Sequence, residues 1–123
     1  MTPQEIFDKA LLAMREQGVK SSEDRFCSYY TREGLRCPAG HLLSEQQARE
    51  LQGRVPQIWK NVAISDPDMI PEELRGHEDL IADIQKAHDS TDETDYCGSF
   101  IKGFEAKMAN VAKVHGLSME IAK

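Results

Sequence analysis

Phe26-Cys27-Ser28-Tyr29-Tyr30-Thr31-Arg32-Glu33-Gly34-Leu35-Arg36-Cys37 is the stretch on which the fold class turns. Its first six residues are dense in side chains that suit a pleated surface, and Arg32-Glu33-Gly34 has the composition of a three-residue hairpin loop. A type I turn closed by a left-handed Gly34 would set Thr31 opposite Leu35 and Tyr29 opposite Cys37. Cys27, Tyr29, Thr31, Leu35 and Cys37 would then share one face. Pro38 has no amide hydrogen to donate and Gly40 relaxes the backbone, so the second strand is expected to be short and to turn quickly into Leu42-Leu43.

On both sides of this stretch the pattern is helical. Thr2-Pro3-Gln4-Glu5 has a capping threonine, a proline suited to the first helical position and a glutamate that completes a capping box. Ile6, Phe7, Ala10, Leu11 and Met14 then recur on one helical face, and Gly18 supplies a left-handed stop. Ser44-Glu45-Gln46-Gln47 opens a second, shorter helix ending near Gly53. A brief helix is expected around Gln57 to Val62, then an exposed loop punctuated by Pro67, and a turn from Pro71 through Leu74 before Gly76 interrupts. Leu80, Ile81, Ile84, Ala87 and His88 form the apolar stripe of a firmer helix with an acidic outer face. Ser90-Thr91-Asp92-Glu93 ends it and caps the longest helix, from about Thr94 to His115. That helix turns Tyr96, Cys97, Phe100, Ile101, Phe104, Met108, Val111, Ala112 and His115 inward. Gly116-Leu117 fits a Schellman stop, and Ser118 to Ala122 could add one further turn. The expectation is one α+β domain over residues 1–123, predominantly α-helical, with a single short antiparallel β-hairpin near the N-terminus packed on the first and last helices.

Hydrophobic residues make up 40% and charged residues 29% of the 123 residues, the balance of a chain that packs a core. No stretch approaches the ~20 apolar residues that cross a bilayer, and Met1 to Glu5 lacks a basic region followed by an apolar run. Three cysteines are too few for a secreted disulfide framework. A cytoplasmic protein with no membrane contact is expected.

The net charge of −6 is unevenly spread. From Ile64 to Tyr96 stand eleven acidic residues, Asp66, Asp68, Glu72, Glu73, Glu78, Asp79, Asp83, Asp89, Asp92, Glu93 and Asp95, against Arg75 and Lys86, a local net of −9. Such a surface repels phosphate, which disfavours direct nucleic-acid binding. It either keeps the protein solvated or docks a protein partner with a basic surface. Asp66, Asp68, Glu72, Glu73, Glu78, Asp79, Asp83, Asp92 and Glu93 are the candidate partner-binding residues.

Catalysis would have to use Cys37 and His88, with Asp89 as the group orienting the imidazole. Against this, His88 falls on an apolar stripe, and Asp89 follows it directly and so should point elsewhere on a helix. Zinc would need Cys27, Cys37 and His41, with a fourth ligand from Cys97 or another histidine. Neither Cys-x2-Cys nor His-x3-His occurs, so no compact chelating knuckle is encoded, and Cys27 and Cys37 read as small buried hydrophobes around Tyr29. Asp66 and Asp68 lack the further oxygens and the loop glycine of a calcium loop. The adjacent pairs Glu72-Glu73 and Glu78-Asp79 do not face each other across a cleft, as acid and base work requires. Trp59 reads as a core edge rather than a binding anchor. No phosphate loop or dinucleotide glycine pattern appears, and no cofactor is expected.

Cys27-Ser28-Tyr29, Gly34-Leu35-Arg36-Cys37, Gly40 and Leu42-Leu43 together resemble the signature of a group of small bacterial and phage proteins with no assigned activity. Those proteins place Cys-x-Tyr before a turn and Gly-Leu-Lys-Cys-Ala-x-Gly after it. Ala87-His88-Asp89 and Val111-Ala112 with His115-Gly116-Leu117 are similar to the group as well. Tyr30 stands where the group often has arginine, and Leu43-Ser44 where it has isoleucine-proline. The resemblance implies a shared fold and a bacterial or phage setting, and no mechanism. With the charge pattern it points to a small acidic, non-enzymatic binding protein, for example a phage accessory factor that inhibits a host defence protein. A cysteine and histidine enzyme or a small zinc module is the alternative.

Overall fold

A computed structural model of the chain describes residues 1–23, 26–27, 29–52, 59–65, 67–91 and 100–119. Among the described residues, six helices carry the architecture: α1 (Pro3–Gln17), α2 (Pro38–Leu42), α3 (Glu45–Gln52), α4 (Trp59–Ser65), α5 (Glu78–Asp89) and α6 (Phe100–His115). Single 3-10 turns at Pro67–Met69 and Glu72–Leu74 link α4 to α5.

Local chemistry sets the ends of α1 as the pattern predicts. Thr2 Oγ1 accepts the Glu5 N–H at 3.1 Å and Glu5 Oε1 accepts the Thr2 N–H at 2.8 Å, closing the capping box. Gly18 takes φ 75°, and its N–H reaches the Met14 carbonyl. Ser44 and Gln47 form the same reciprocal pair at the start of α3. At the far end of α6, the Leu117 N–H donates to the Ala112 carbonyl at 2.7 Å, the long bond of a Schellman stop. The apolar faces of α1, α5 and α6 meet in a core that includes Ile6, Phe7, Leu11, Met14, Ile81, Ile84, Phe104 and Met108. Trp59, at the start of α4, is only 1% exposed and belongs to this core.

The α+β expectation is overturned, because the architecture is helical and the hairpin over Phe26 to Cys37 does not form. Among the described residues, extended pairing is confined to a two-residue ladder elsewhere. It joins β1 (Ser22–Glu23) to β2 (Phe26–Cys27), with Ser22 opposite Cys27 and Glu23 opposite Phe26. That is too short to form a layer against which helices could pack. The turn itself is present: the Thr31 N–H donates to the Leu35 carbonyl at 2.8 Å, and Gly34 has φ 88°. What fails is the pairing beyond it. Gln52 Oε1 accepts the Tyr29 N–H at 2.7 Å and the Tyr30 N–H at 3.4 Å, while Gln17 Oε1 accepts the Arg36 N–H at 2.9 Å. The Tyr29 N–H, which a ladder would pair with the Cys37 carbonyl, is taken instead by a glutamine from α3, while one from α1 holds the Arg36 N–H, so these donors are satisfied without a sheet.

The intended second strand becomes a helix start. Cys37 is extended at the N-cap of α2, its Sγ accepts the Gly40 N–H at 3.4 Å, and Pro38 opens the first turn. A side chain on Gly40 would place its Cβ 2.3 Å from the Tyr29 carbonyl oxygen, so glycine is what lets α2 lie against that strand-like segment. The predicted beginnings at Gln57 and Thr94, the end near Gly53, and Tyr96 and Cys97 lie outside the described residues.

Candidate functional site

α5 brings His88 and Asp89 to the point where its C-terminal end meets the segment after α1 and the start of α2. His88 is fully buried. Its Nε2 accepts the Ser21 N–H at 3.0 Å, and its Nδ1 lies 2.8 Å from Asp89 Oδ1. These two partners place the ring hydrogen on Nδ1. The Phe100 ring meets the imidazole edge-on, with centroids 5.6 Å apart. The pairing with Asp89 corrects the expectation that neighbouring helical residues diverge. Asp89 is the last residue of α5, so no following turn confines its carboxylate, which swings back onto the adjacent ring.

Cys37 lies in the same buried region but is not poised for attack. Burial pushes its thiol up to about 12, with the Asp89 carboxylate adding to the rise and the Gly40 N–H and Gln85 opposing it. At neutral pH it is therefore a protonated cap, not a thiolate. His88 has one basic nitrogen, and that nitrogen is turned on the Ser21 amide. A general base for a thiol would have to aim that lone pair at sulfur. Gln85, almost wholly buried on the apolar stripe of α5, accepts the Ala39 N–H at 3.0 Å and so ties α2 to α5. Tyr29 closes the region; burial first, then Cys37 and Asp89, raise its hydroxyl above the ordinary range.

His41 turns to a different partner. Its Nε2 lies 2.8 Å from Gln17 Oε1, the oxygen that also accepts the Arg36 N–H, while Gln17 Nε2 donates to the Val19 and Arg36 carbonyls. Burial, then the charges of Arg36 and Lys9, push His41 down to about 4. Cys37 and His41 thus do not converge on a common point. The side chain of Cys27 lies outside the description, as does Cys97. Among the described residues, no three His, Cys, Asp or Glu side chains are grouped as metal ligands.

The acidic residues divide by task. Asp68, Glu72, Glu73 and Asp79 are exposed around the 3-10 turns and the first turn of α5. Glu78 accepts the Gly76 N–H at 3.2 Å, and Asp83 lies 2.7 Å from His115 Nε2 on α6, so these two are held by partners within the chain. Asp66, Asp92 and Glu93 are outside the described residues. Arg75, the one cation among Asp68 to Asp79, donates through Nε to the Ile70 carbonyl at 3.2 Å. Beside this run, at the end of α4, Ile64 is 81% exposed.

Sequence reading missed a cluster on the opposite flank of α2. The Tyr30 hydroxyl donates to Glu45 Oε1 at 2.7 Å, and Arg49 Nη2 reaches both groups, at 3.2 and 2.9 Å. The guanidinium carbons of Arg36 and Arg49 stand 5.4 and 5.0 Å from the ring centroid of Tyr30. Tyr30's hydrogen bond, then Arg49's charge, hold the Glu45 carboxyl below the usual carboxylate range. The signal was weak: an arginine four residues after a glutamate marks a helical ion pair, but nothing local ties Tyr30 to it.

No protein-family model matches this chain, and no curated protein or solved structure does.

Proposed function

We propose that the protein is a small acidic, non-enzymatic binding protein that holds a basic surface of a protein partner through the segment from Asp68 to Asp79. The observation that carries this reading is the run of exposed carboxylates at Asp68, Glu72, Glu73 and Asp79, preceded in the chain by an isoleucine, Ile64, left 81% exposed. An apolar anchor followed in the chain by charges of one sign is the composition of a docking segment: burial of the anchor supplies affinity, and the charges supply steering and selectivity. Glu78 and Asp83, each already held by a partner within the chain, contribute field rather than contact.

A binding role is further supported by the state of the thiol and imidazole that catalysis would need, the one protonated and buried, the other with both nitrogens engaged. The resemblance of the Cys27 to Leu43 signature to bacterial and phage proteins supports reading the protein as a phage accessory factor acting on a host protein, with inhibition of host defence as one such action. The test is capture from bacterial lysate by the wild-type protein and by Asp68→Asn/Glu72→Gln/Glu73→Gln. Three neutralised contacts at a few tenths of a kcal/mol each should weaken capture about tenfold, with thermal stability unchanged. Raising the salt should weaken wild-type capture likewise. Equal capture by the two proteins at all ionic strengths would reject the acidic segment as the docking site.

A further inference from the structure

Between α5 and α6 runs a shallow groove of about 320 Å³, separate from the acidic segment. Its apolar lining is Ala87 and Val111, both nearly buried, together with Val114, which is 68% exposed. An ammonium stands on each wall, Lys86 from α5 and Lys107 from α6. The carboxylate in the lining, Asp83, is already held by His115. Lys107 donates to the carbonyl and hydroxyl oxygens of Ser90, so its head is fixed but part of its charge answers the carbonyl end of α5. Lys86 carries the remainder. On a chain of net charge −6, a groove with two cations against one carboxylate, itself already hydrogen-bonded to His115, is where an anion gathers.

We infer that this groove binds a small amphipathic carboxylate, an aliphatic or aromatic acid whose charged end meets Lys86 and Lys107 and whose hydrocarbon lies on Ala87, Val111 and Val114. Charge alone would suit inorganic phosphate, but phosphate leaves the valine surface uncovered. An uncharged chain would cover the valines and leave two ammoniums beside apolar contact with no counter-charge. Size agrees: at the roughly 30 Å³ that one water occupies in the liquid, the groove has room for about ten heavy atoms, the low end for ligand sites.

The experiment is an amide NMR titration of the whole protein with hexanoate, hexan-1-ol and inorganic phosphate in parallel. Hexanoate should give saturable shifts centred on Lys86, Ala87, Lys107, Asn110, Val111 and Val114, with the alcohol and phosphate each binding about tenfold more weakly. Lys86→Glu and Val114→Asp, both at exposed side chains, should keep the wild-type spectrum elsewhere and each weaken hexanoate about tenfold. The proposal is overturned by shifts that do not saturate or fall outside the groove, by alcohol or phosphate binding as well as hexanoate, or by variants that bind it as the wild type does.

Discussion

Lowering the pH from 7 to 4.5 should destabilise the fold through His41, and the size of the effect follows from its surroundings. Carried on α2, bonded to Gln17 at the end of α1 and facing the charges of Arg36 and Lys9, the ring falls from the ordinary 6.5 to about 4. The folded state therefore refuses a proton that the unfolded chain accepts between those two values. By linkage, stability attributable to this ring is complete above about pH 6.5 and drains away as the pH falls toward 4. A drop of that width corresponds to at most about 3 kcal/mol, and solvent screening of a partly exposed ring brings the expected share to roughly 1–2 kcal/mol. Urea unfolding at pH 7.5, 6.5, 5.5 and 4.5 measures it, with His41→Gln as the comparison because glutamine can still donate to Gln17 and does not titrate. Carboxylates such as Glu5 and Glu45 lose stability with acid in both proteins and cancel in the difference. The wild type should lose roughly 1–2 kcal/mol more than the variant across this range, and parallel profiles would refute the account of His41.

Three further outcomes follow from the packing. Gly40→Ala should cost more than about 3 kcal/mol in thermal or urea unfolding, because its Cβ would lie 2.3 Å from backbone, whereas Gly76→Ala, with φ 87° and open space, should cost about 1 kcal/mol. Gln52→Leu should cost about 1–3 kcal/mol by leaving the Tyr29 N–H without its acceptor, and hydrogen exchange at Tyr29 should accelerate alongside. In a Cys27→Ser/Cys97→Ser background, Cys37 should react with a thiol reagent at pH 8 only at the rate of unfolding; fast labelling of the folded protein would show an accessible thiolate.

The helices were legible where the signals are local. Thr2, Pro3, Glu5 and Gly18 bracket α1 within its own sequence, and the Phe100 to Val111 stripe needs no knowledge of the rest of the chain. The Thr31 to Leu35 turn was legible for the same reason. The strands flanking it were not, because their fate rests on Gln52 and Gln17, one downstream on α3 and the other upstream on α1. β-Propensity measures how a side chain suits a half-buried surface, and Tyr29 and Thr31 are indeed buried, but against helices. α2 went unseen because a cysteine is an unusual cap, although Pro38 at a first helical position was the available sign. In the candidate site, the acidic run could be read directly, since charge needs no partner to be counted. Which carboxylates face outward could not, because Asp83 is claimed by His115 thirty-two residues away.

Trp59 is the single tryptophan of the chain, and among the described residues its buried indole nitrogen meets no acceptor. The protein thus has one tryptophan fluorophore, which can be excited selectively beyond tyrosine absorption, seated at the opposite end of α4 from Ile64. Its emission should be blue-shifted in the native state and move to the red on denaturation. A ligand that disturbs α4 would change that colour without any attached dye.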